Sequence, residues 1–248
     1  MSAAGEAALA PSGAEAVLEL PGGGRVLFTT RAAGNLSTGA GAGAERGLEH
    51  RAQLCERLGV RWLCAGAQVH GADVHVIERV AGAGGTPLAI DADGHATSLR
   101  EVGAMVMCAD CLPVAIGCTG AVAMLHAGWR GLAAGVLERG VRALRELSGG
   151  RRLLAIVGPG AGACCYEVGA EVRSAFAGGF VEGRAEAREG RRERARIDLR
   201  AIARERLLAA GVREVRDVDA CTICDARFFS HRREGERAGR QAGIAWLS

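Results

Sequence analysis

Hydrophobic and polar positions alternate along this chain in short blocks, and the blocks predict more strands than helices. Residues 16–31, "AVLELPGGGRVLFTTR", read as two short strands around a Gly-rich turn. In residues 47–60, Leu48, Leu54 and Leu58 fall at helical spacing and Gly59 is a natural stop. Residues 62–78 read as a strand, a tight turn at Gly71 and a second strand, a further hairpin, followed by a loop at 81–87. The apolar run 102–118 breaks at Asp110, giving a strand on each side, and "AVAMLHAG" is another strand. Residues 132–147 form an amphipathic helix with Leu132, Val136, Val141 and Leu144 on one side.

The second half of the chain continues in the same way. Residues 152–160 are a strand running into a Gly-Pro-Gly turn, and 166–176 a short helix or turn. Ile197, Leu199, Ile202, Leu207 and Leu208 supply the apolar side of one more helix. "VRDVDACTICD", "RFFSHRR" and "AGIAWLS" read as short strands and loops. Residues 1–15 read as disordered. No repeat or linker divides the rest, so 16–248 is expected to be a single α+β domain rather than a regular βαβ alternation.

Composition changes this picture little. Of 248 residues, 49% are hydrophobic but only 4% aromatic, so the core must be built mainly from Ala, Val, Leu and Ile. All 31 basic residues are Arg, and the net charge of +3 is too mild to argue for nucleic acid. The dense basic run "REGRRERAR" reads as a solvated face. No stretch reaches membrane-spanning length, and the start lacks the basic and apolar segments of a leader. The nine Cys, several within apolar runs, fit a cytoplasmic protein with reduced thiols.

Three apolar segments end or break at a potential zinc ligand: "AQVHG" at His70, "CADCLPV" at Cys111 and "MLHAGWRG" at His126. Their spacing is too long for a zinc finger. Three ligands from different strand ends suit a catalytic metal, which keeps a fourth position open and lowers the pKa of bound water to about 7. The same atoms admit a Cys111 nucleophile with His126 as its base. A third reading is a structural zinc held by Cys108/Cys111 and Cys221/Cys224. In "HAGWRG", Arg130 is a bidentate anion donor and Trp129 a stacking surface or pocket seal. Arg31, after a strand and before a Gly loop, is a further candidate for an anion. The turn "VGPGAGACCYEVG" allows close backbone approach to a ligand but lacks the Walker ending.

Taken in order, "QVHG", "ADCLPV", "HAGWRG", "GP…CCYEVG" and "CT…FFSHRR…GRQAGIAWL" resemble the YfiH-type family. That family was long labelled polyphenol oxidase or laccase-domain proteins and is now regarded as purine nucleoside phosphorylases. The resemblance runs from about Val26 to Leu247. It implies a zinc site of His70, Cys111 and His126 in a single α+β domain of mixed β-sheets with outer helices. It also implies phosphorolysis of adenosine, inosine, guanosine and methylthioadenosine, together with adenosine deamination. Purine nucleosides and phosphate would be the partners, with Arg130 or Arg31 holding phosphate and Asp73 or Asp110 moving protons. Copper-dependent oxidation has been ascribed to relatives, but multicopper ligand sets need many His, and this chain has six. Two departures bear on substrate choice: His50-Arg51 stands where the family has Asn-Arg, and His231 replaces the usual Tyr of Phe-Ser-Tyr-Arg. A non-enzymatic metal- or nucleotide-binding role is the remaining alternative.

Overall fold

Two β-sheets packed face to face, each with helices on its outer side, account for nearly every apolar block in the chain. The structure, a computed structural model, describes residues 8–9, 15–79, 88–149, 152–176 and 195–248. The strands are β1 (Ala8–Leu9), β2 (Leu18–Leu20), β3 (Gly24–Phe28), β4 (Trp62–Cys64), β5 (Val74–Ile77), β6 (Gly94–Thr97), β7 (Val102–Cys108), β8 (Leu112–Cys118), β9 (Ala121–Ala127), β10 (Leu154–Val157), β11 (Glu167–Val168), β12 (Ala195–Arg196), β13 (Glu214–Val218) and β14 (Gln241–Leu247). The helices are α1 (Gly47–Leu58), α2 (Trp129–Ala134), α3 (Val136–Ser148), α4 (Ala170–Ala175), α5 (Leu199–Ala209) and α6 (His231–Glu234).

The larger sheet has seven strands in the order β1-β13-β10-β8-β9-β6-β5 and the second five in the order β2-β3-β14-β7-β4, while β11 and β12 pair in a separate two-stranded sheet. The first two are mixed: β8, β9 and β6 are antiparallel neighbours, whereas β5 and β6, β10 and β13, and β4 and β7 pair parallel. Strand alternation decides the layers. In β8 and β9, Leu112, Val114, Ile116, Ala121, Ala123 and Leu125 meet the apolar faces of α3 and α5. Their alternates Ala115, Val122 and Met124 pack against Val26, Phe28, Val106 and Ala245 of the five-stranded sheet. Helix α1 covers the far side of that sheet, with Leu54 and Cys55 against Leu27, Met105, Ile244 and Trp246. This is the expected α+β architecture of mixed sheets and outer helices.

Several local expectations change. The segments 62–64 and 74–77 do not form a hairpin; β4 joins the five-stranded sheet and β5 the seven-stranded one. The strands on either side of Asp110 likewise part between sheets. The helix expected over 132–147 breaks at Gly135, whose φ of +88° is left-handed, so α2 and α3 are separate. Ala8–Leu9, within the segment read as disordered, pairs parallel with Asp217–Val218. The loop at 81–87 and most of the basic run at 188–196 lie outside the described residues.

Asp217 on β13 faces α5, with one carboxylate oxygen 3.3 Å from the Arg200 Nε. Burial outweighs Arg200 and, with Asp219 and Asp198 adding repulsion, raises the Asp217 pKa to about 6. A raised carboxyl pKa favours the protonated folded form, so this group weakens the fold as pH rises from the unfolded value through 6. Asp217→Asn is therefore expected to gain about 1–3 kcal/mol of stability relative to wild type between pH 4 and pH 7. Paired denaturant titrations at the two pH values check this; a pH-independent difference contradicts it.

Candidate functional site

Strand β9 carries His126 in the same register as Val122 and Met124, so its imidazole continues the inter-sheet face at the strand's end. It is buried, with 3% of its surface exposed. Asp93, just before β6, is wholly buried and holds it in place. The Asp93 carbonyl accepts from His126 N–H at 2.7 Å, and its Oδ1 accepts from His126 Nδ1 at 2.7 Å. The same carboxylate accepts from three successive backbone N–H groups: Val69 at 3.1 Å, His70 at 3.0 Å and Gly71 at 2.7 Å. Aiming three consecutive N–H groups at one anion bends the chain into a nest, and His70 takes a left-handed φ of +60°. Asp93 thus sets the backbone beneath one imidazole and the ring orientation of the other.

The third group, Cys111, leaves the β7–β8 connection just after Asp110, whose φ is +94°. That turn is clamped from outside. Asp110 Oδ1 accepts from Thr222 Oγ1 and Oδ2 from the Arg232 N–H, both at 2.7 Å. Its carbonyl accepts from Ala161 N–H at 2.7 Å.

His70, Cys111 and His126 converge, with ligand atoms all within 4.8 Å of one another. The two imidazole rings stand edge to face, 4.9 Å apart. Gly128 leaves the room: a Cβ there would lie 2.9 Å from Cys111 Sγ and 3.4 Å from His70 Cδ2. Gly131 lets α2 approach the His70 loop, since its Cβ would come within 2.9 Å of the Gly71 carbonyl. Burial pushes the Cys111 thiol up, yet the charge and hydrogen bonds of His126 and His70 outweigh it and bring the pKa down to about 6. Burial disfavours a charged His126, but the Cys111 thiolate and Asp93 raise it to about 9. Burial works against ionised Asp93 as well, and His126 with the Gly71 and Val69 N–H groups keep it below the usual carboxylate range. A thiolate and a second imidazole thus favour positive charge at the centre of this triangle. With Nδ1 donating to Asp93, His126 has Nε2 left as a ligand atom. Two imidazoles and one thiolate, with a cradle that a Cβ would fill, fit a transition metal such as zinc or copper.

The triangle opens into a cleft of about 530 Å³ lined also by Gln68, Asp110, Trp129, Arg130, Tyr166, His231, Arg232 and Arg240. The Arg130 guanidinium lies over the Trp129 indole, 4.3 Å from its centroid. Arg232 sits over the Tyr166 ring at 5.2 Å and donates to the Glu167 carbonyl. Tyr166 keeps its proton, its pKa pushed up to about 12 by burial.

Of the residues singled out from sequence, His70, Asp110, Cys111, His126, Trp129 and Arg130 come together here. Two do not. Asp73 is 75% exposed and paired with Arg139, because the turn after Gly71 directs it outward. Arg31 pairs with Glu234, donates to the Phe228 carbonyl and stacks on Phe229. Cys108 is buried and does not join Cys221 and Cys224. Two glycines of 157–169 make room for packing rather than for the cleft: Gly158 admits Phe28 and Pro113, and Gly160 admits Leu112 and the Asp110 carbonyl. Asp93, Gln68, Tyr166, Arg232 and Arg240 were not legible as site residues. For Asp93 the available signal was an acid, in "DADGHA", at the mouth of an apolar strand.

The fold and the donor triangle define a two-sheet α+β protein with a candidate metal centre at one end of the sheets. The chain belongs to the multi-copper polyphenol oxidoreductase laccase family, whose model matches residues 24–248. A Xylella fastidiosa protein named purine nucleoside phosphorylase is 38% identical over 226 residues, covering 86% of this chain and 84% of that protein. A Pseudomonas aeruginosa protein of the same name is 42% identical over 209 residues, covering 80% and 79%. A crystal structure of a Neisseria meningitidis protein superposes with a TM-score of 0.76 at 33% identity, covering 94% of this chain and 99% of that one. No helix among the described residues is long and apolar enough to cross a membrane.

Asp93→Asn keeps the shape but removes the charge that orients His126 and gathers the His70 loop. It is expected to weaken zinc binding by about 10–100-fold, measured by competition with a chromogenic chelator. Unchanged affinity contradicts the role assigned to Asp93.

Proposed function

We propose that this protein is a zinc-dependent purine nucleoside phosphorylase with adenosine deaminase activity. The observation that carries the reading is the convergence of His70, Cys111 and His126 inside a cleft rimmed by Arg130, Arg232 and Arg240. The names of the relatives supply the substrate class, purine nucleosides with phosphate.

His70, Cys111 and His126 would hold the zinc, which would supply Lewis acidity to the cleft. Arg130 binds the phosphate: its guanidinium rests on Trp129 and lines the cleft. Arg232 and Arg240 add positive charge along the same wall. Tyr166 remains a neutral hydroxyl donor, and Trp129 offers a flat face to a purine. In phosphorolysis a phosphate oxygen bonds to the anomeric carbon, the glycosidic C–N bond breaks, and the base leaves with a proton. Positioning of the two reactants and stabilisation of their charge give most of the rate. Asp110 positions rather than shuttles protons, because both of its oxygens already accept hydrogen bonds. Deamination of adenosine belongs to the same reading but at a different carbon: a water oxygen bonds to C6 of the purine, the C6–amino bond breaks and ammonia leaves, with the glycosidic bond intact.

A second reading rests on a specific observation: Cys111, His126 and Asp93 also form a thiolate–imidazole–carboxylate chain, as a cysteine hydrolase would use. His70, a second imidazole within reach of the same sulfur, favours the metal. Copper oxidation is less well supported. His50 bonds the Asn35 carbonyl, and His95 accepts from Gly66 N–H with His75 edge-on to it, so they add no ligands to this centre.

Zinc-replete protein is expected to release adenine from adenosine only when phosphate is present, with ribose 1-phosphate as co-product, assayed by chromatography. Chelation abolishes turnover and zinc restores it. Cys111→Ser loses the zinc of this triangle and about 100-fold or more of the rate together. Absence of phosphate-dependent release overturns the phosphorylase reading; turnover indifferent to chelators supports the hydrolase instead.

A further inference from the structure

Four thiols that the proposed reaction does not use lie together on another part of the surface. Cys164 and Cys165 follow β10 in the loop before Tyr166, and Cys221 and Cys224 open the turn after β13. Their four sulfur atoms all lie within 4.8 Å of one another. Cys224 Sγ is 3.5 Å from Cys164 Sγ and 3.0 Å from Cys165 Sγ. We propose that Cys164, Cys165, Cys221 and Cys224 form a second metal site, a closed four-sulfur zinc centre that pins these two segments together.

Three features carry this. First, a tetrahedral zinc with Zn–S bonds of about 2.3 Å places its sulfurs about 3.8 Å apart, within the span of separations seen here. An all-sulfur set of four is the donor set of a structural zinc, with no position left for substrate. Second, the surroundings are shaped for sulfur. Gly162 N–H donates to Cys221 Sγ at 3.2 Å. A Cβ on Gly162 would lie 3.3 Å from the sulfurs of both Cys164 and Cys221. Cys221 and Cys224 share one turn, in which the Cys221 carbonyl accepts from Asp225 N–H at 3.0 Å, so both side chains leave from the same side. Third, the backbones beneath are already joined. Gly160 N–H donates to the Ala220 carbonyl, and Thr222 N–H to the Gly160 carbonyl.

The site shares no residue with the His70–Cys111–His126 triangle, but it abuts the frame of the cleft. Tyr166, which lines the cleft, directly follows Cys165. Thr222, one residue past Cys221, holds the Asp110 carboxylate at the Cys111 turn. A zinc here braces both contacts.

The test uses the full-length chain, purified under reducing conditions and equilibrated with zinc alone. Wild type is expected to bind about two zinc ions per chain, and Cys111→Ser about one, read by elemental mass spectrometry. X-ray absorption of the Cys111→Ser protein is expected to show a sulfur-only shell at about 2.3 Å. The Cys164→Ser/Cys224→Ser double variant keeps only a mixed nitrogen and sulfur shell. The absorption measurement on Cys111→Ser stands even if the double variant fails to fold. A Cys111→Ser protein that binds no zinc, or binds it through nitrogen or oxygen, overturns the proposal. So does a Cys165–Cys224 disulfide that forms in place of zinc uptake.

Discussion

One buried carboxylate organises the functional end of this molecule. Asp93 accepts hydrogen bonds from three consecutive N–H groups and from an imidazole, while its own carbonyl takes the His126 N–H. A buried anion is costly unless it is satisfied in this way. The left-handed turn at His70 is stable because the carboxylate rewards the alignment of its neighbours' N–H groups. Without that charge the His70 backbone has no reason to stay strained, and His126 has no fixed tautomer. The sheets bring the segments close; Asp93 turns closeness into a donor set.

The rest of the centre follows from where the strands end. β7 and β8 belong to different sheets, so the chain must cross between layers at Asp110–Cys111. That crossing places the thiol at the edge of the inter-sheet core, where β9 delivers His126. The C-terminal segment then closes the crossing through Thr222 and the Arg232 N–H on Asp110. The donor triangle and the Arg130, Arg232 and Arg240 side chains thus share one cleft, built from loops on a rigid two-sheet frame.

Much of this was legible in the sequence, for physical reasons. The apolar runs of β8 and β9 are continuous enough to identify two strands buried on both faces, and the run before His126 marks it as a strand end. The family likeness in "HAGWRG" and "ADCLPV" joined His70, Cys111 and His126, which spacing alone left open. What stayed hidden was non-local. Sheet membership of β4 and β5 depends on neighbours far along the chain, so two strands around a loop looked like a hairpin. Asp73 is close to His70 in sequence yet points away, while Asp93, farther along, is the true partner. Cys221 and Cys224 were weighed with Cys108 and Cys111, but their companions are Cys164 and Cys165, placed beside them by the parallel pairing of β10 and β13.

The claim on which the account turns is that His70, Cys111 and His126 grip one cation with a face left open to the cleft. Anomalous diffraction at the zinc edge, from crystals of zinc-loaded protein, tests it most directly. The predicted result is a peak at about 2.0–2.3 Å from an imidazole nitrogen of each histidine and from the Cys111 sulfur. A map with no peak among those three side chains would contradict it.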